Sequence, residues 1–508
     1  MNVLDRAPAS SGTRPKRRLL ATAPASVRRV RVPRLAAICA LVATLNAVCW
    51  SLITPAFQVP DEPDHFAYVK QLAETGRLPT SDATQLSQEE NITLNALHQS
   101  IVRLRPQRHA IASRSEQRAL EHTLAATPHE SGSPSAGLAA SQPPLYYALE
   151  AIPYSIGSAG NVLDRLQLMR LFSALFAGLT ALFAFLFVRE ALPRAPWAWT
   201  VGGLSVALAP LLGFMSGAVN PDALMFAVSA AAFYCLARAF RRGLDAHTAL
   251  AIGAVAALGL ASKLNFIGLL PGILAGLAIL SVRAARRRGR AAAWRMFALG
   301  LAVAISPGVA YAAHNVLAGQ ALLGNTAAHG AAQVSGSLLA ELNYIWQLYL
   351  PLLPGMTDDF PGLFPLRQIW FDGYVGLYGW LDTPMPAWLD TLALVPAAAL
   401  ALLCGRSLYT ARAAVRARAL ELATYALMAL GLLALIGVAS FHAFPAEDAE
   451  FGQVRYLLPL LALLGAVLAL AARGAGRRWG PAVGALIIVL FLAHDVFSQL
   501  QEIARYYG

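Results

Sequence analysis

The chain has 508 residues, 57% of them hydrophobic and only 13% charged, and its mean hydropathy is +0.53. Soluble globular domains carry about 25% charged residues, so this balance excludes a soluble enzyme and marks a polytopic membrane protein. The net charge of +12 would point to nucleic acid in a soluble chain, but here its placement reads as membrane topology, and no nucleic-acid partner is expected.

Residues 1–33 are rich in Arg, Pro, Ala and Ser, with Asp5 as their one acid and no apolar period. They read as a disordered basic cytoplasmic tail ahead of a transmembrane domain over 34–508. A helix needs roughly 20 apolar residues to cross a bilayer. Eleven such runs emerge, over 35–57, 168–188, 197–216, 223–240, 248–264, 266–282, 295–314, 387–404, 420–441, 456–472 and 480–496. The fifth is short, and only Lys263 and Asn265 mark its boundary with the sixth. The first is too long for a signal-peptide core and ends in Pro-Asp-Glu-Pro, so it is expected to remain as an anchor. Cys39, Cys49, Cys235 and Cys404 fall inside apolar runs without a C-x-x-C pair, which indicates neither a disulfide framework nor a thiolate metal site.

The first run leads into Thr54-Pro55-Ala56-Phe57-Gln58-Val59-Pro60-Asp61-Glu62-Pro63-Asp64-His65. Prolines at 55, 60 and 63 forbid a continuing helix, which predicts an extended elbow holding the acids close to the membrane surface. Apolar spacing over Phe66–Arg77 predicts a helix lying flat at the interface. Residues 80–140 are Ser-, Thr-, Gln-, His- and Ala-rich with weak periodicity, and read as a partly ordered lobe.

The next apolar stretch, Pro143 to Tyr154, contains Tyr146 and is interrupted by Glu150 and Pro153. Counting it as a span would reverse everything after it. Charge decides: without it, the loops on the side of the N-terminus hold most of the loop arginines, among them Arg286, Arg287, Arg288 and Arg290. The connections on the other side, beyond the first long loop, then hold only Lys263, Arg367 and Arg455, the bias that the positive-inside rule demands. The stretch is therefore expected in the interface as an amphipathic helix. The N-terminus is then cytoplasmic, the C-terminus lies outside, and two long loops, 58–167 and 315–386, face out. Of the 28 Asp and Glu, only Asp5, Glu190, Asp245 and Glu421 fall inside, which places the chemistry on the outer face.

Three further groups stand at outer helix ends. In Asn220-Pro221-Asp222 a helix N-cap, worth about 1 kcal/mol, accounts for one of the two side chains. Lys263 is the one basic residue of its connection. It either snorkels or meets a phosphate. The run Trp370 to Pro384, with Trp380 and Asp382, is dense in aromatics and glycine. An interfacial belt explains part of it, and the glycine spacing argues for a shaped loop able to hold a sugar or isoprenyl chain. Last, Arg455-Tyr456 places a planar guanidinium suited to phosphate at the mouth of the tenth run.

The order of these features resembles the GT-C superfamily of integral-membrane glycosyltransferases. The likeness covers roughly residues 35–500. In detail, Val59-Pro60-Asp61-Glu62-Pro63-Asp64-His65-Phe66, Asn220-Pro221-Asp222, Ser262-Lys263, Tyr378-Gly379-Trp380-Leu381-Asp382 and Arg455-Tyr456-Leu457-Leu458-Pro459 are similar to a bacterial family of predicted membrane proteins, domain-of-unknown-function family 2142. Many relatives have His before Pro-Pro-Leu-Tyr-Tyr, where this chain has Gln142. The resemblance implies an all-helical GT-C-like fold in a bacterial inner membrane. It also implies transfer of a sugar from a polyprenyl-phosphate donor to a glycan or lipid acceptor on the far side, in envelope glycan or glycolipid assembly.

Residue chemistry agrees with that implication. Attack on an anomeric carbon needs a hydroxyl deprotonated as the bond forms, for which Asp61 is the expected base. Glu62 is expected to orient the acceptor or raise its neighbour's pKa. Lys263 and Arg455 would stabilise the leaving phosphate, with Asp64, His65, Tyr146, Asn220, Asp222, Trp380, Asp382 and Tyr456 lining the substrate. A divalent ion on Asp61, Glu62 or Asp222 is a further option, since carboxylates are hard ligands. A transporter of lipid-linked glycans would instead need a polar path near the midplane, and a non-catalytic assembly protein would need none of this chemistry.

Overall fold

The apolar runs become long helices, and they start and stop where capping and proline chemistry dictate. The computed structural model describes residues 32–79, 86–105, 107–108, 113–133, 135–322, 337–443 and 453–508; the expected tail up to residue 31 and the acidic stretch 444–452 lie outside them. The helices are α1 (Arg34–Ile53), α2 (Glu62–Thr75), α3 (Gln88–Ala96), α4 (Gln99–Val102), α5 (Arg114–Ala126), α6 (Leu145–Ile156), α7 (Val162–Ala191), α8 (Pro196–Ala207) and α9 (Pro210–Ser216). They continue as α10 (Asp222–Arg242), α11 (Ala246–Ser262), α12 (Leu270–Arg288), α13 (Arg290–Leu317), α14 (Leu338–Tyr349), α15 (Ala387–Thr410), α16 (Ala419–Ala443), α17 (Leu461–Gly474) and α18 (Gly476–Tyr507). Short 3-10 turns, Leu264–Leu269 and Val454–Leu460, lead into α12 and α17.

Among the described residues, nine helices are long and apolar enough to cross a bilayer, or ten if α8 and α9 form one crossing. The chain is an all-helical, multi-pass membrane protein. The third expected run is a broken span: α8 and α9 meet at a 52° bend. Pro210 causes it, because the residue before a proline is pushed out of helical geometry and Ala209 sits at φ −72°, ψ 116°. The fifth run, α11, has 17 residues and remains the short one. The second run starts earlier than expected, at Val162, because Asn161 and Asp164 form a capping box there.

Nearly every side chain of α10 is buried, and α7 packs beside it; α1, α8, α11 and α17 close around this pair. Backbones touch where both partners are glycine: a Cβ on Gly202 of α8 would stand 2.7 Å from the carbonyl oxygen of Gly465 on α17. Small residues at such crossings are how helices associate where lipid gives no hydrophobic drive between them.

The first long loop differs from expectation in two places. The elbow ends at Asp61, and Glu62, Asp64 and His65 already belong to α2, because proline at a helix's first turn forfeits no hydrogen bond. The lobe over 80–140 contains the helices α3 and α5, each started by a Ser-x-x-Glu capping box, Ser87 with Glu90 and Ser113 with Glu116. In the same loop α6, at 12 residues about 18 Å long, is too short to cross, and it buries Tyr146, Tyr147, Glu150 and Tyr154 while leaving Ile152 and Ile156 exposed. The second loop forms a π-helical turn at Leu366–Asp372 and two short antiparallel strands, β1 (Leu377–Tyr378) and β2 (Thr383–Pro384). The turn between the strands needs positive φ at Gly379, which glycine adopts without cost, and at Leu381, which adopts it despite its side chain.

Candidate functional site

Asp61 sits at the N-terminus of α2 in left-handed geometry, φ 64° and ψ 4°, a conformation that costs a non-glycine residue free energy and clusters at functional sites. Phe57, four residues earlier, also has positive φ. The restraint comes from Glu62 and Arg170. Arg170, near the start of α7, donates from Nε to Glu62 Oε1 at 2.8 Å and from Nη2 to Oε2 at 2.6 Å. The same guanidinium donates to the carbonyls of Ser51, Thr54 and Pro55, tying the end of α1 to the elbow. Glu62 also accepts from the backbone N–H groups of Phe57 and Val219, so both its oxygens are committed.

Glu62 is fully buried. Glu62 was expected on an extended elbow, to orient the acceptor or raise its neighbour's pKa; it instead begins α2 as a buried brace held by Arg170. Arg170 is the residue the sequence reading missed. Its signal was an arginine inside an apolar run, where an ionisable group normally has a partner.

With the elbow fixed, four distant parts of the chain converge. Arg455 donates from Nη2 to Asp61 Oδ2 at 2.7 Å. Lys263, between α11 and the turn into α12, donates to Asp222 Oδ1 at 2.7 Å. Lys263 is buried and has a carboxylate partner, which corrects the expectation of simple snorkelling. Tyr456 lies beneath both cations, 5.2 Å from the Arg455 guanidinium and 5.9 Å from the Lys263 ammonium. Asn220 accepts from the Asp222 N–H and donates to the Pro60 carbonyl, joining the start of α10 to the elbow.

The site keeps polar capacity in reserve. Asp61 is 32% exposed at its side chain, against 7% for Arg455. Arg455 Nε and Nη1, Asp222 Oδ2 and His65 Nε2 are buried and have no hydrogen-bond partner among the described residues. Burial alone would raise the Asp61 carboxyl, but the charges of Arg455 and Lys263 outweigh it and hold it below the usual carboxylate range. Burial pushes His65 down to about 3, so its imidazole is neutral, in contact with Tyr147 Oη through Nδ1. Asp64 is pushed up to about 6, by burial first and then by the charge of Asp61.

Other expected residues lie around this centre in different surroundings. Tyr146 is fully buried with its hydroxyl on Ser173, which in turn donates to Glu150, and nothing leaves it open to a substrate. Burial raises Glu150 to about 8. Gln142 accepts from the Leu264 N–H, beside Lys263, and its carbonyl accepts from Tyr68. Trp380 donates to the Phe57 carbonyl and carries the Arg103 guanidinium 4.1 Å above its ring. Asp382 is buried against Arg505 of α18 and Thr383, which corrects the expectation that it lines a sugar site. The carboxylates of the metal option are committed to cations of the chain itself. Asp61, Glu62 and Asp222 each hold a different cation, and the described residues contain no group of three His, Cys, Asp or Glu able to share an ion.

The family model described as "Predicted membrane protein (DUF2142)" matches residues 45–464. The chain belongs to this family. No curated protein sequence matches it. Among solved structures, the DUF2142 chain is similar to ArnT from Cupriavidus metallidurans. For the apo state the identity is 13% and the TM-score 0.43, over 85% of this chain and 59% of that one. For the state bound to undecaprenyl phosphate they are 12% and 0.45, over 93% and 75%. It is similar as well to the apo oligosaccharyltransferase of Archaeoglobus fulgidus, at 13% identity and TM-score 0.44, over 93% of this chain and 56% of that one.

Proposed function

We propose that this DUF2142 protein is a GT-C type glycosyltransferase that moves a sugar from a polyprenyl-phosphate donor to an acceptor hydroxyl, on the outer face of a bacterial inner membrane. The observation that carries the reading is the pairing of a partly exposed, ionised Asp61 with a buried Arg455 that has two uncommitted N–H groups. A carboxylate open on one side can take a proton, and a buried guanidinium fork can take a phosphate.

In this mechanism the donor phosphate accepts from Arg455 Nε and Nη1, and the Lys263 ammonium adds charge beside it. The acceptor oxygen attacks the anomeric carbon as its proton passes to Asp61. The bond from that carbon to the phosphate oxygen breaks, and its electron pair leaves on the phosphate, where the two cations stabilise it. Arg455 has a second effect. Free, it lowers the proton affinity of Asp61; with phosphate bound, its field at Asp61 is compensated, and Asp61 becomes a stronger base when the acceptor needs one. Envelope glycan or glycolipid assembly is the process such a reaction serves.

The test is transfer of labelled sugar from polyprenyl-phosphate donors by the purified protein in lipid, comparing wild type with Asp61→Asn and Arg455→Lys. Undecaprenyl phosphate, which one ArnT structure holds, is the lipid to test first for binding. Transfer that vanishes in Asp61→Asn while donor binding persists supports the reading. Donor binding by wild type without transfer to any acceptor would overturn it in favour of a transporter or an assembly protein.

A further inference from the structure

At the opposite end of the bundle from Asp61, the last turns of α10 and α12 line a half-open cavity of about 480 Å³. Its wall carries Arg241, Arg242, Arg283, Arg286, Arg287 and Arg288, with Asp245 as the one acid among the lining residues. The positive-inside rule explains why arginines gather at this end. It does not explain a cavity or arginines held in place.

Three of the six are held. Arg241 and Arg242 each donate to the buried Glu190 of α7 at 2.8 Å, and Arg283 lies 5.3 Å from the Phe240 ring. All six arginines are exposed to solvent, Arg241 and Arg242 over about half of their side chains, and Arg286, Arg287 and Arg288 stand at the rim. Counting Glu190 and Asp245 against the six, an excess of four positive charges faces one volume. The base of the cavity is apolar, made of Ala239, Leu280 and Ala284. A volume of this size suits a multi-atom ligand, beyond the needs of a single ion.

We propose that this cavity binds a phosphate-bearing anion, with a lipid headgroup of the adjoining leaflet and a soluble polyphosphate as its two sources. The site is separate from the Asp61 centre and does not depend on the activity proposed there. Arginine forks at the wall engage phosphate oxygens, and the apolar base accepts the first carbons of a glycerol or acyl moiety.

Binding is measured on the full chain in uncharged phosphatidylcholine nanodiscs with two probes, a short-chain phosphatidic acid and inorganic pyrophosphate. Wild type is compared with two triple variants. One removes the rim, Arg286→Gln, Arg287→Gln and Arg288→Gln. The other removes three exposed arginines elsewhere, Arg416→Gln, Arg473→Gln and Arg477→Gln. Charges beyond about 10 Å are screened at 0.1 M salt, so a built site distinguishes the two. The expected result is binding weakened about tenfold or more by the rim triple and less than about twofold by the remote triple, since only the rim charges lie within screening range of the bound phosphate. Phosphatidic acid bound in this pattern assigns a lipid headgroup, and pyrophosphate alone assigns a soluble ligand. Equal losses in both triples, or no binding of either probe, overturns the proposal.

Discussion

Arg170 and Asp61 lie at the two extremes of what a charged residue does in this protein. Arg170 and Glu62 are both buried, and their pairing leaves no exposed surface to absorb a lost partner. Removing one member of such a pair typically costs 3–5 kcal/mol, because the other stays buried and uncompensated. Arg170→Leu is therefore expected to abolish a cooperative melting transition or lower its midpoint steeply, read by size-exclusion after heating. Asp61→Asn, with a third of its side chain in solvent and its oxygen still able to accept from Arg455, is expected to melt close to wild type while losing transfer. Asp64 supplies the pH-dependent test. Its carboxyl is raised to about 6, above the ordinary carboxylate value, so its favourable contribution is complete at low pH and is lost as pH rises through 6. Asp64→Asn should thus stabilise the protein at pH 8 relative to wild type and give no such gain at pH 4; equal effects at both would contradict the assignment. The transfer reaction itself should show an acid limb in kcat/KM below the usual carboxylate range, from Asp61.

Helices were legible in proportion to how much their own residues decide. The spans announce themselves through length and hydropathy, and α11 was visibly short. The 12-residue α6 could be kept out of the membrane by charge bookkeeping alone. Polar helices such as α3 and α5 have little apolar period to read, and their Ser-x-x-Glu boxes were the available signal. That signal is testable: Ser87→Ala should cost about 1 kcal/mol through the lost cap and add a burden on Lys70, which donates to the same hydroxyl, read as faster proteolysis of residues 86–105 with the bundle intact. The site was legible as charges out of place at the ends of apolar runs, at Asp61, Asp222, Lys263 and Arg455. Which cation meets which acid was not, because Asp61 and Arg455 are 394 residues apart and only the packing of α17 against α10 and α8 brings them within 2.7 Å. Asp382 illustrates the same limit. Its aromatic loop could be read as shaped, but its partner Arg505 lies in the last turn of the chain. Packing also sets a prediction for the element contact itself. Gly202→Val would drive a side chain into the Gly465 backbone, which cannot move aside as a flexible side chain would, at an expected cost of about 1–3 kcal/mol.

For the whole molecule the decisive question is which way it faces, since the same bundle does different chemistry on the two sides of a membrane. Contacts fix the two ends independently of any charge rule. The end of α1 and the starts of α7 and α10 meet through Arg170, Glu62 and the Val219 N–H. The end of α7 meets the end of α10 through Glu190, and Arg418, just before α16, donates to the Ala191 carbonyl there. The arginine-rich cavity belongs to this second end. Because arginine-rich short loops are retained in the cytoplasm, the Asp61 end should face out, together with the C-terminal residue of α18. In a background with Cys39, Cys49, Cys235 and Cys404 replaced by Ala, an impermeant maleimide should label Gly508→Cys in intact cells and Arg287→Cys only after permeabilisation. The opposite pattern would place Asp61 and Arg455 in the cytoplasm, where water-soluble nucleotide sugars are at hand and a polyprenyl carrier has no advantage as donor. The orientation measurement therefore decides between two classes of sugar donor before any substrate is tried.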